Sequence, residues 1–141
     1  MEESVAFTED LLRACRALGR ARVVMRNPVG VVEVFADLDR LELRDGWAHL
    51  CTEPFHVHLH CHAIAQVSFR EPDETEAEGR ACRSLWFGDR NGVPLLLVIL
   101  DRARGDEAAA QTRVFDGLRA RHGATRALMS VDELPPRPSM S

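Results

Sequence analysis

The sequence contains no lysine and no tyrosine, so all eighteen of its basic residues are arginine. The absence of lysine excludes a Walker-type phosphate-binding loop and any Schiff base formed on a lysine. The absence of tyrosine excludes tyrosinate as a metal ligand and tyrosine as a catalytic acid or base.

The chain also lacks long apolar runs and an excess of basic charge. No run of about 18 apolar residues is present, and no basic start precedes an apolar stretch, so we predict a cytoplasmic protein without a membrane span. The net charge of −4 and the aromatic content of 6% disfavour a nucleic acid as partner. The 141 residues fit one domain, predicted over residues 1–128, with a flexible proline-rich tail at 129–141.

The cysteines follow neither a disulfide pattern nor a zinc-ribbon pattern. None of the four forms a Cys-x-x-Cys pair, and the first falls in a predicted helix. This pattern predicts reduced, mostly buried thiols rather than a disulfide framework or a structural zinc site. The four are Cys15, Cys51, Cys61 and Cys82.

Periodicity and turn signals predict two helices and a series of strands between them. A helix over residues 8–18 has Thr8 as its N-cap, and a second helix spans residues 106–121. An Asn-Gly pair predicts a hairpin at residues 89–92, and the doubly apolar strand after it should be central. The strands are expected at residues 22–26, 29–35, 41–44, 47–52, 55–62, 64–70, 83–87 and 93–100. This order predicts an α+β fold with a large antiparallel β-sheet flanked by an N-terminal and a C-terminal helix.

The most informative feature is a run in which four histidines alternate with other residues, within residues 55–62. Imidazole is a poor core filler and an uncommon choice for a strand, but it supplies nitrogen ligands and switchable charge. Successive strand side chains point to opposite faces, so the four should share one face. They are His56, His58, His60 and His62. We interpret this segment as a ligand-binding strand.

The spacing of the histidines limits the ligand. Alternate strand residues lie roughly 6.6 Å apart, so the outer two are about 20 Å apart and cannot share one ion. A single His-x-His pair could hold a transition metal ion with help from a neighbouring strand. Alternatively, a large flat ligand such as haem could lie across the strand, with one imidazole on its iron. His49, which shares its face with Trp47 and Cys51, either joins this cluster or lies at the surface.

Seven short motifs follow one another in an order that is typical of a known family. They include Leu-Gly-Arg, Val-Met-Arg-Asn and Val-Val-Glu near the start, His-Leu in the histidine run, and Phe-Gly-Asp-Arg-Asn-Gly at the hairpin. The motifs lie at residues 18–20, 24–27, 31–33, 58–59, 64–69, 87–92 and 111–118. Together they resemble single-domain members of the bacterial haemin-utilisation (HemS/ChuX-like) haem-trafficking and haem-degrading proteins.

The resemblance implies an antiparallel sheet that binds haem on its surface or edge, in a chain that pairs as a homodimer. On this mapping His58 takes the family's strand histidine and is the implied axial ligand to the iron. The neighbouring imidazoles of His56 and His60 would contact propionates or a distal water. Arginine is common near propionates, which makes Arg26 and Arg83 candidates, and we prefer Arg83 because it lies on a predicted strand.

Three functions follow, in order of preference. The first is a cytoplasmic haem-binding protein of haem uptake, storage or trafficking, and the second is a non-haem metal-binding protein that uses the His-x-His strand. The third is a dimeric structural or interaction domain without a ligand. Family members that degrade haem often carry a histidine beside the position of Glu33, where this chain has Val32 and Val34. No catalytic residue is predicted, and the sequence favours a carrier, although the resemblance leaves haem degradation open.

Overall fold

The computed structural model of the chain describes residues 2–72 and 82–122. Two helices, α1 (Glu2–Ala14) and α2 (Gly105–His122), flank eight strands within these residues. The strands are β1 (Arg20–Asn27), β2 (Gly30–Asp37), β3 (Glu42–Arg44), β4 (Trp47–Cys51), β5 (His56–His60), β6 (Gln66–Arg70), β7 (Ser84–Gly88) and β8 (Pro94–Ile99). The tail predicted at residues 129–141 lies outside the described residues.

The strands form two antiparallel sheets where the sequence predicted one. The larger sheet has the order β2-β1-β8-β7-β6, and the smaller has the order β3-β4-β5. The chain leaves the larger sheet after β2 through a 3₁₀ turn at Leu38–Arg40, where the Leu38 amide donates to the Gly19 carbonyl at 2.8 Å. The predicted α+β class with flanking helices is confirmed, and β8 is the central strand, as its apolar residues on both faces indicated.

The first helix is longer than predicted. It begins at Glu2, continues into a 3₁₀ turn at Cys15–Leu18, and ends at Gly19, whose φ of 71° suits glycine. The prediction that Thr8 is the N-cap is wrong, because Thr8 lies inside the helix. Its buried hydroxyl donates to the Ile64 carbonyl at 3.3 Å, so this side chain makes a tertiary contact instead of capping a helix.

The second helix packs on the core much as the sequence predicted. Phe115 and Leu118 are almost fully buried, and the Phe115 ring meets Phe69 of β6 edge-on with ring centroids 5.6 Å apart. Full burial of such side chains stabilises the fold by about 1.5–3 kcal/mol each. Gln111 is the polar exception on this face, because its Nε2 donates to the carbonyls of Leu18 at 2.6 Å and Arg20 at 2.7 Å. These bonds fasten α2 to the chain between α1 and β1.

The predicted Asn-Gly hairpin between β7 and β8 is confirmed. The Asp89 amide donates to the Val93 carbonyl at 3.0 Å, and Gly92 adopts a φ of 82°. The Asp89 carboxylate accepts the amides of Asn91 and Val93 at 2.9 and 3.0 Å, so the turn is held at both ends. Within the described residues, neither helix is long and apolar enough to cross a membrane.

Candidate functional site

One face of the smaller sheet is exposed and carries most of the histidines. Residues opposite one another in paired strands project from the same face. The cross-strand rows are Arg44–Trp47–His60, Glu42–His49–His58 and Cys51–His56. We call these eight side chains the histidine face; His49 is partly buried and the other seven are exposed. The alternation along β5 therefore places His56, His58 and His60 on one face, as the sequence predicted.

The fourth histidine of the run leaves the strand. β5 ends at His60, and Cys61–Ala63 forms a 3₁₀ turn, so the prediction that the strand continues through His62 is wrong. The Cys61 amide still donates to the Gly46 carbonyl at 2.9 Å, in register with the β4–β5 pairing, but β4 begins only at Trp47. The Ile64 amide then donates to the Cys61 carbonyl at 3.2 Å and closes the 3₁₀ turn. The His62 ring nevertheless stays beside His60, with ring centroids 5.3 Å apart. It also lies over Gly46, so that a Cβ at this position would lie 3.1 Å from its Nε2.

Two tight turns set the register of the histidine face. Asp45 and Gly46 join β3 to β4 with φ values of 54° and 83°, as a two-residue hairpin turn with two left-handed positions requires. Between β4 and β5, the Thr52 amide donates to the Phe55 carbonyl at 2.9 Å. A one-residue slip in either hairpin would turn the histidines towards the core, so these turns decide which side chains share the face.

The central contact of the histidine face joins two imidazoles. The Nδ1 atoms of His49 and His58 lie 2.8 Å apart, and the rings meet edge-on at a centroid distance of 5.0 Å. A hydrogen bond of this length needs one donor and one acceptor. When His58 donates, its Nε2 keeps a free lone pair and can coordinate a metal, and metal-binding histidines commonly donate their other ring N–H in this way. His49 thus joins the cluster, which the sequence had left undecided.

A stacked aromatic pair lies at one end of the histidine face. The Trp47 indole and the His60 imidazole are nearly parallel, at an interplanar angle of 19° and a centroid distance of 4.7 Å. Trp47 is 41% exposed, so the pair presents flat aromatic surface to solvent. Trp86, by contrast, is a buried residue of the larger sheet, where its indole N–H donates to the Ser84 hydroxyl at 2.9 Å.

The arginine on the histidine face is not one of those selected from the sequence. Arg83 directly precedes β7 in the larger sheet, with its Nε 3.2 Å from a Glu71 carboxylate oxygen, and Arg26 lies on β1 of the same sheet. Arg44 lies opposite Trp47 in the smaller sheet and is exposed. The Asp-Gly pair at positions 45 and 46 is the signal that could have placed Arg44 on this face, since it predicts the β3–β4 hairpin.

The four cysteines differ in their surroundings. Cys15 and Cys61 are buried, and burial raises the pKa of Cys15 to about 12 and also raises the pKa of Cys61. Cys82 is partly buried, whereas Cys51 is exposed at the end of β4. The prediction of mostly buried thiols thus agrees with Cys15 and Cys61, whereas the register of β4 turns Cys51 to solvent.

The reverse side of the smaller sheet is filled by the core. Leu50 and Val57 pack there with Leu12 of α1 and Cys15 of the following 3₁₀ turn around an apolar cavity of about 20 Å³. A space of this size holds at most a water molecule. This cavity is therefore too small for a ligand as large as haem, whereas the histidine face is open to solvent.

Comparison with known families places this chain in a class. The family described as haem utilisation ChuX/HutX matches residues 4–118. The chain belongs to this haem utilisation family, and the resemblance noted in the sequence is confirmed. No curated protein matches the chain by sequence comparison.

Solved structures share the fold at low sequence identity. The haem-binding protein ChuX superposes with a TM-score of 0.61 at 17% identity, over 80% of this chain and 70% of that one. ChuS, an E. coli haem oxygenase, gives 0.65 at 21% identity over 87% of this chain and 36% of its own. Holo-PhuS, a haem-binding protein from Pseudomonas aeruginosa, gives 0.64 at 22% identity over 94% of this chain and 36% of its own. This chain thus spans about a third of ChuS and PhuS.

Proposed function

We propose that the chain binds haem on the histidine face, with His58 as the axial ligand, and serves as a carrier in haem utilisation. The observation that carries this proposal is the geometry of His58, which is exposed at the middle of the face with its Nδ1 engaged by His49. Its Nε2 is then the nitrogen for iron, and imidazole is a common protein ligand to haem iron. Membership in the haem utilisation family supports haem as the ligand.

The residues around His58 suit the remaining parts of a porphyrin. His56 and His60 lie two residues to either side on β5, where they can contact propionates or a bound water. The stack of Trp47 on His60 offers an aromatic surface to the porphyrin plane. The rows of the sheet place this stack and His58 side by side.

Arginine on the same face can hold the propionates. Arg44 lies in the row of Trp47 and His60, and its guanidinium can bind a carboxylate through two parallel hydrogen bonds. We retain Arg83 as a second candidate, although it lies in the larger sheet and is paired with Glu71. An Arg44→Gln variant compared with Arg83→Gln would show which arginine contributes to haem affinity.

We propose carriage rather than degradation because the histidine face is open to solvent. A site that cleaves a porphyrin has to exclude water and present a shaped distal pocket to the reacting atoms. Seven residues of the histidine face are exposed, and His58 is one of them. An axial ligand that is accessible to solvent suits uptake and release of haem. Haem degradation is the alternative function, because ChuS, which shares the fold, is described as a haem oxygenase.

The proposal is tested by absorbance titration of the purified chain with haemin. We expect a Soret shift that saturates near one haem per chain, and a weakened or altered spectrum for His58→Ala. His122→Ala is the matched control, because His122 ends α2 and packs its ring on Phe7. If no saturable shift occurs, the chain is not a haem-binding protein. If the shift is the same in His58→Ala, the ligand is a neighbouring residue.

We also propose that the protein is a cytoplasmic homodimer, which rests on the family resemblance. Phe35 and Leu95 are large apolar side chains exposed on the larger sheet, at 57% and 38%, and an interface between two copies would cover such surface. Light scattering should give twice the 15.8 kDa of one chain, and cell fractionation should place the protein in the cytoplasm. A monomeric mass or recovery outside the cytoplasm would contradict the respective proposal.

A further inference from the structure

One end of the histidine face brings together three side chains that bind metals. Cys51 lies directly opposite His56 across β4 and β5, and His58 follows two residues later on the same face. One ligand atom from each of the three residues lies within 4.8 Å of the others. All three side chains are exposed, so their rotamers can adjust to a ligand.

The chemistry of these donors selects a particular class of ion. One thiolate and two imidazoles suit zinc and similar borderline-to-soft transition metal ions, whereas calcium and magnesium take oxygen ligands. In a tetrahedral site with bonds of about 2.0–2.3 Å, ligand atoms lie roughly 3.3–3.8 Å apart. The separations among the three ligand atoms are at most 4.8 Å. This upper limit lies about 1 Å above the tetrahedral range, a difference that exposed side chains on fixed strands can close by small rotations.

The surrounding structure holds these donors in place. The Thr52 amide and hydroxyl both donate to the Phe55 carbonyl, at 2.9 and 3.3 Å, directly beyond the Cys51–His56 pair. These bonds close the hairpin and keep Cys51 opposite His56. On the other side, His49 contacts Nδ1 of His58 and restricts the orientation of its ring.

Cys51 is the cysteine whose surroundings allow it to act as a ligand. A metal binds the thiolate, and burial opposes ionisation of the Cys15 and Cys61 thiols, whose pKa values are both raised. Cys51 is exposed beside two imidazoles, so a metal can reach its sulfur without disturbing the core.

We infer that Cys51, His56 and His58 form a binding site for one divalent transition metal ion of the zinc class, distinct from haem iron. The site uses two strands and three donors, and its remaining coordination position is open to water. It does not depend on the proposed function. One consequence does rest on that proposal, because zinc and haem would both require His58 and would therefore exclude one another.

The test uses the full chain, purified in a phosphine reductant and freed of metal, and titrated with Zn²⁺ in competition with a chromophoric chelator. We expect one Zn²⁺ per chain. Cys51→Ser and His56→Ala should each weaken binding by at least about tenfold, the loss typical of even indirect changes at metal sites. Co²⁺ as a second probe should give a thiolate charge-transfer band that is lost in Cys51→Ser. Cys82→Ser and His122→Ala are matched controls outside the site and should leave Zn²⁺ affinity unchanged.

The outcomes separate this inference from the haem proposal. The absence of saturable Zn²⁺ binding, or Zn²⁺ binding that is unaffected by Cys51→Ser, would refute the metal site, whether or not the chain binds haem. Binding of Zn²⁺ by a chain that gives no Soret shift would uphold the metal site and refute haem binding. If both ligands bind, Zn²⁺ should weaken haem binding to the wild-type chain, and unchanged haem affinity in saturating Zn²⁺ would refute their mutual exclusion.

Discussion

The Nδ1 atoms of His49 and His58 lie 2.8 Å apart across β4 and β5, so each imidazole determines the tautomer of the other. His49 is therefore a positioning residue for the proposed axial ligand. We expect His49→Ala to lower haem affinity by about 10–100-fold, as loss of such a partner usually does, while the Soret spectrum of histidine ligation is retained. Haemin titration of His49→Ala and of His58→Ala measures the haem affinity and the Soret spectrum of each variant. A loss of the histidine-type spectrum in His49→Ala would instead make His49 the ligand.

Removal of the Gln111 amide should destabilise the fold. Gln111 is buried, and its Nε2 donates to the carbonyls of Leu18 and Arg20. Gln111→Leu keeps an apolar side chain of similar size but leaves the Leu18 carbonyl without this donor, which should cost about 1–3 kcal/mol of unfolding free energy. Urea denaturation measures the change. Arg113→Ala, on the exposed side of α2, is the control and should change stability by less than about 0.5 kcal/mol.

The ion pairs of the protein should differ in strength according to their burial. Arg22 is largely buried, with its guanidinium 2.6 Å from a carboxylate oxygen of Asp101 and 3.4 Å from one of Glu33. Asp101→Asn removes the closer charge and should cost about 1–3 kcal/mol. Asp116→Asn is the comparison, because Asp116 is exposed and 3.7 Å from Arg119, where such a pair is worth less than about 1 kcal/mol. Equal losses in urea denaturation would contradict this ranking.

The stability of the protein should fall in alkaline solution. Burial raises the pKa of Cys15 from 9.0 to about 12, so the folded state holds this proton more tightly than the unfolded state. The resulting stabilisation is complete below about pH 9 and is lost as the pH rises from about 9 towards 12. The unfolding free energy should fall by up to about 1.4 kcal/mol per pH unit in that range.

The slope of stability against pH, rather than stability itself, identifies the group responsible. Cys15→Ala should be less stable at neutral pH because it leaves a cavity, yet its stability should fall less steeply in alkali. Some slope should persist, since burial also raises the pKa of Cys61. Chemical denaturation at several pH values on either side of 9 measures both slopes. Identical slopes in the two proteins would exclude Cys15 as the titrating group.

Local patterns in the sequence predicted most elements of the fold. The Asn-Gly turn before β8 and the inner face of α2 at Gln111, Phe115 and Leu118 all agree with the structure. These features depend on the conformational preferences of a few adjacent residues and on side-chain periodicity. Local patterns could not give the start of α1, because Thr8 resembles an N-cap residue. Its hydroxyl instead donates to the carbonyl of Ile64, which is distant in the sequence.

In the candidate site, too, the features set within one strand were predictable, whereas the contacts between strands were not. Alternation within one strand determined that His56, His58 and His60 share a face, since side chains on any strand alternate with a period of two. The sequence could not show that Cys51 lies against His56, or that His49 meets His58, or that Arg44 rather than Arg83 shares this face. Those contacts depend on the register between strands, which the two hairpin turns impose.

By itself, the sequence determined the family, the α+β class and the alternating histidines, because each follows from the order and spacing of residues along the chain. The tertiary structure alone decided that the strands divide into two sheets and that one face of the smaller sheet is left exposed. It also decided which donors surround His58. The physical reason is that pairing across strands and burial against the core are set by contacts between residues that are distant in the sequence.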